Sequence, residues 1–152
     1  MIVLSQTIHT EVLLMNDTTY LIKQLKEGYS LEDALKEATL PTVGQYLMTF
    51  VYKQEASTEI IADLAGLNKT TLYRISKNQI RPSANVLIRL SRILEMNIEE
   101  TQMLLKCGKH ATLSKGTARD IIIMEGIIKN KCVSEINEKL IAHDFPDLYT
   151  NR

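Results

Sequence analysis

Five side chains in one short segment can give hydrogen bonds or positive charge to an acidic ligand: Lys69, Thr70, Tyr73, Arg74 and Lys77. On a helix wheel with Lys69 at zero, Tyr73 falls at about 40°, Lys77 at about 80°, Thr70 at about 100° and Arg74 at about 140°. Leu72 and Ile75 fall on the other side, at about 300° and 240°. One arc is long, polar and cationic; the opposite arc is aliphatic. A helix over residues 69–77 would be about 13–14 Å long, which suits one pass across a DNA major groove. Its aliphatic side would seat on neighbouring helices while the other arc met phosphates and base edges. The plain alternative is that a charge run is a solvated face.

The surrounding charge favours the first reading. The chain is balanced, with 18 basic and 18 acidic residues. Residues 1–43 carry three basic and six acidic side chains, residues 44–93 seven and three, and residues 94–152 eight and nine. The differences are −3, +4 and −1. From Leu64 to Leu94 there are six basic residues (Lys69, Arg74, Lys77, Arg81, Arg89, Arg92) and no acid. Unopposed positive charge in a neutral chain fits a phosphate counter-charge.

The elements that must position this arc read as helices throughout. Six Gly and three Pro in 152 residues, with abundant Leu, Ile, Ala, Lys and Glu, favour an all-α fold. Residues 17–28 form a short helix closed by Gly28. Residues 30–38 form another, with Ser30 and Asp33 as a near capping box, ended before Pro41. Residues 42–54 place Val43, Tyr46, Leu47, Phe50 and Val51 on one face. Ser57 caps a helix over 58–65, which Gly66 stops in the left-handed region. Asn68 caps the cationic helix, and Asn78 closes it as glycine would. Ser83 opens a helix with Val86, Leu87, Leu90, Ile93 and Leu94 inward. A helix over 98–107 follows, stopped by Gly108. Ile121–Met124 and Ile127–Ile128 are too uniformly apolar for a surface helix and are expected at the centre of the C-terminal packing. Ser134 is expected to cap the last helix, which ends before Pro146. Leu64, Ala65, Leu67, Leu72 and Ile75 read as core.

In register, "IADLAGLNKTTLYRISKNQIRPSANVLIRLSRILEMNIEE" resembles the helix-turn-helix of the XRE class, the lambda-repressor-like and Cro-like domains. The matching residues are Ile61, Ala62, Gly66, Leu67, Asn68, Leu72, Ile75, Arg81, Pro82, Ser83, Leu94, Ile98 and Glu99. The likeness spans residues 44–106. "LLKCGKHATLSKGTARDIIIMEGIIKNKCVSEINEKL" is similar to a C-terminal extension that follows such domains in Gram-positive bacteria, and names no activity. The resemblance implies a lambda-repressor-like bundle with three parts. These are a helical N-terminal extension over 1–43, a helix-turn-helix DNA-binding domain over 44–108 and a C-terminal helical extension over 109–152. It departs from the class pattern at Ser76, where Glu is common, at Asn78, where Gly is common, and at Thr58.

Roles follow for the candidate DNA-binding residues. Lys69, Thr70 and Tyr73, in the N-terminal half of the recognition helix, would reach base edges. Arg74 and Lys77 serve either a base or a phosphate. Arg81, in the following loop, is the expected phosphate contact, joined by the N-termini of the helices near Thr58 and Ser83. Thr58 stands where many members of the class carry Gln, which implies a weaker contact. Arg89 and Arg92 read as surface charges or salt-bridge partners of the acidic flanks.

Other chemistries find no support. His9, His110 and His143 are scattered without ligand spacing, and Cys107 and Cys132 form no CxxC pair. There is no GxGxxG, GxxxxGK(S/T) or GxSxG. No enzyme, metal or cofactor is expected. No apolar run approaches the roughly 20 residues of a membrane span. The opening "MIVLSQTIHTEVLLM" lacks a basic n-region and contains Glu11, so it does not read as a signal peptide and the cytoplasm is the expected location. The sequence therefore points to a transcriptional regulator that binds double-stranded DNA. The alternative is a protein-binding module on the same fold, such as an antitoxin, adaptor or phage-type inhibitor, with a protein partner on the N- or C-terminal extension. A homodimer is expected through segments outside 44–106, above all the C-terminal part.

Overall fold

The computed structural model describes residues 17–37 and 40–150, so the opening segment lies outside the described residues. Among the described residues there are nine helices and no strand: α1 Asp17–Lys26, α2 Leu31–Glu37, α3 Val43–Val51, α4 Thr58–Leu64, α5 Lys69–Ser76, α6 Ala84–Ile93, α7 Ile98–Cys107, α8 Ala118–Ile128 and α9 Val133–Ala142. None is long and apolar enough to cross a membrane.

Local signals set most of the helix starts. The side chains of Thr42, Ser57, Asn68, Ser83 and Asn97 each accept from the backbone amide three residues on, which satisfies donors left unpaired in the first turn. Thr42–Gln45 and Asn97–Glu100 are complete capping boxes. The last helix differs from the expectation. It begins after Cys132 rather than after Ser134, because the Glu135 carboxylate reaches back to both the amide and the thiol of Cys132.

Seven of the described helices end in one device, a single left-handed residue after the last turn. Gly66 (φ 74°) and Asn78 (φ 57°) hold that position after α4 and α5, as the sequence implies. After α7 it is Lys109 (φ 63°), not Gly108. Gly108 is wanted for space instead, since a Cβ there would lie 2.7 Å from Leu87 Cδ1.

One continuous core runs from Val43 to Leu148. Helix α5 packs on both α3 and α4, α6 packs on α4 and α7, α3 meets α7, and α7 joins this group to the α8–α9 pair. Helices α3 and α5 approach closely. A Cβ at Gly44 would lie 2.5 Å from Ser76 O and 2.8 Å from Ile75 O, so only glycine allows α3 to sit this near the end of α5. In α8, Ile123 and Ile127 are buried against this core, whereas Ile121 and Ile128 are exposed. No described side chain of α1 or α2 belongs to the core, and Ile22, Leu25, Leu31 and Leu35 are exposed on them.

Arg89 and Arg92 are buried, not surface charges. Each is only 6% exposed, and both spend their guanidinium groups on main-chain carbonyls. Arg89 donates to Ala65 O at 2.9 Å and Leu148 O at 2.6 Å. Arg92 donates to Met96 O and, at 3.4 Å, to Lys131 O. Burial lowers both pKa values, yet guanidinium keeps its proton in proteins. These two arginines tie the C-terminal segments to the α4–α6 unit.

Candidate nucleic-acid interface

Helix α5 is eight residues long, or about 12 Å. Its two faces differ as the wheel requires. Leu72 and Ile75 are buried, at 2% and 0% exposure. Lys69, Thr70, Tyr73, Arg74 and Lys77 are all exposed, so the five donor side chains lie on one solvent-facing arc. Asn68 anchors the start of that arc, with Oδ1 accepting from the Thr71 amide at 2.7 Å and from its hydroxyl at 2.8 Å. At the other end, Ser76 Oγ donates to Tyr73 O at 2.6 Å.

Within the arc, Lys77 Nζ stands 5.7 Å from the centre of the Tyr73 ring, within cation–π range. Lys69 Nζ lies 2.8 Å from Glu59 Oε1, both side chains being well exposed. The hydrogen bond and charge of Lys69 hold the Glu59 carboxyl below its usual pKa. No carboxylate among the described residues pairs with Arg74 or Lys77.

Thr58 is exposed in the first turn of α4, beside the cap residue Ser57. The structure therefore brings the N-terminus of α4 and the start of α5 together through the Glu59–Lys69 contact. Arg81 is exposed but engaged: Nε donates to Gly108 O at 3.0 Å and Nη2 to Lys109 O. Its charge lies against the carbonyl end of α7, where the helix dipole favours a cation.

Thus three of the six cations between Leu64 and Leu94 (Arg81, Arg89 and Arg92) meet carbonyl oxygens, and a fourth, Lys69, meets a carboxylate. Much of the unopposed charge in the sequence is opposed by main chain, which leaves no mark in residue identities. Glu59 is the residue of this candidate face that the sequence alone does not mark. Its only sequence signal is its place in the first turn of the helix preceding the cationic one.

No family model, curated protein or solved structure matches the chain. Among the described residues no cluster of three or more His, Cys, Asp or Glu could hold a metal ion. What the α4–α5 unit offers is a solvent-facing arc of hydrogen-bond donors, with an aromatic ring and two cations that no described carboxylate pairs with.

Proposed function

We propose that this protein is a sequence-specific DNA-binding regulator that lays α5 in a major groove, built on a helix-turn-helix of the lambda-repressor-like XRE class. The observation that carries the reading is the polarity of α5: Lys69, Thr70, Tyr73, Arg74 and Lys77 face solvent while Leu72 and Ile75 anchor the helix. Lys69, Thr70 and Tyr73 contact base edges, Arg74 and Lys77 contact phosphate or base, and the first turn of α4 at Thr58 offers amides to the backbone. Arg81 adds charge near phosphate while holding the end of α7. One such helix spans about half a turn of duplex, so a homodimer on half-sites about 34 Å apart is part of the proposal.

A second reading has one observation in its favour. Ile22, Leu25, Leu31 and Leu35 on α1 and α2 are exposed, which suits a protein-binding module whose partner covers those helices.

Arg74→Ala with Lys77→Ala separates the two. Both side chains are exposed, so folding should be unchanged while affinity for mixed-sequence duplex falls. Unchanged DNA binding, or none by the parent, would favour the protein-binding reading.

A further inference from the structure

Among the described residues, Lys69 is the one cation along α5 that is matched with an acid. Glu59 lies in the first turn of α4, Lys69 is the first residue of α5, and Nζ and Oε1 are 2.8 Å apart. The side chains are 67% and 63% exposed, and ion pairs this open add little to stability. A lone carboxylate on a phosphate-facing surface would also repel its ligand. Stability and general affinity therefore both fail to account for the pair.

We infer that Glu59 and Lys69 act together as a donor–acceptor unit that reads one G·C base pair, which makes Glu59 a specificity-determining residue. The inference rests on the DNA-binding reading above.

The chemistry is a match of spacing. In the major groove, guanine presents O6 and N7 as acceptors, and its cytosine presents the N4 amino group as a donor. O6 and N4 are joined by the base pair's own N–H···O bond, so they lie about 2.9 Å apart. An ammonium and a carboxylate held 2.8 Å apart can meet O6 and N4 side by side. Lys69 has three N–H groups and gives one to Glu59, leaving donors for O6 and N7; the carboxylate keeps spare lone pairs for N4–H. An A·T pair also sets a donor beside an acceptor, but thymine O4 is flanked by the C5 methyl and adenine lacks the adjacent O6/N7 acceptors. The salt bridge also removes Lys69 as a free cation for any passing phosphate. Specific sites gain relative to all others.

The test is selection from a duplex library with a randomised central segment, using the full chain, Glu59→Ala and Glu59→Gln, with melting curves for each. The parent should enrich sites sharing a G·C pair whose change to A·T weakens binding by about tenfold. Glu59→Ala should lose most of that preference at this one pair and keep the others. It should also bind mixed-sequence duplex more tightly at low salt, with a salt slope steeper by about one unit. Glu59→Gln, which keeps an acceptor oxygen without the charge, should retain part of the preference and still bind mixed duplex more tightly. Identical base preferences in parent and both variants, whatever their mixed-duplex affinity, would overturn the inference and leave the DNA reading standing. A parent that enriches no sequence and binds no duplex would overturn both.

Discussion

Asn78 Oδ1 accepts a hydrogen bond from the Gly44 amide at 3.0 Å, and the same side chain donates to Thr42 Oγ1 at 3.0 Å. The left-handed residue that ends α5 is therefore also the clasp that holds the start of α3. Glycine at this position would supply the conformation alone; asparagine supplies the conformation and two bonds across the bundle.

Asn78→Gly should consequently cost about 1–2 kcal/mol, the loss of one partly buried and one exposed hydrogen bond, despite easing the backbone. Asn78→Ala should cost a further 1–2 kcal/mol or so, because a Cβ resists φ near 57°. Urea midpoints of the two variants check the order. A glycine variant as stable as the parent would show that the bonds to Thr42 and Gly44 contribute nothing.

Arg89 is a second clasp in the fold. Its guanidinium bridges Ala65 O at the end of α4 and Leu148 O near the C-terminus, with the Tyr149 ring 4.6 Å away. Arg89→Ala leaves two carbonyls without their donor and should destabilise by about 2–5 kcal/mol. Arg89→Lys should recover little, since an ammonium cannot span both oxygens as the planar fork does. Full rescue by lysine in thermal melts would mean that charge, not geometry, is what matters there.

The cationic helix and its predecessor were legible because their signals are local. Cap residues stand at Ser57 and Asn68, left-handed residues at Gly66 and Asn78, and an aliphatic pair at Leu72 and Ile75. What depends on distant partners was not. Leu64 reads as core by type, yet it is 55% exposed, because α4 turns Ile61 and Ala62 inward and leaves Leu64 on its outer side. The buried roles of Arg89 and Arg92 could not be read, since their partners are carbonyls that any residue would supply. Glu59 escaped notice for a related reason: its partner lies on the next helix, and no spacing rule within one helix pairs them.

Tyr46 gives the fold an alkaline limit. Burial, aided by the nearby Glu100 carboxylate, pushes its phenol up to about 12. In the unfolded chain the phenol ionises near 10, so above that pH the unfolded state sheds a proton that the folded state keeps. Stability is fully present below pH 10 and declines as pH rises toward 12. Tyr46→Phe should flatten this decline when urea midpoints are compared between about pH 8 and pH 11. An unchanged slope would place the titration elsewhere.

The measurement that tests the central claim most directly is a salt titration of full-length protein binding to a labelled mixed-sequence duplex. With Arg74, Lys77 and Arg81 near phosphate, log K should fall linearly with log salt, with a slope of about −2 to −3 per protomer. Arg74→Ala with Lys77→Ala should flatten that slope by about two units without moving the melting midpoint. Absence of binding at about 50 mM salt, or a slope unchanged by the double substitution, would contradict the assignment of the α5 face to DNA.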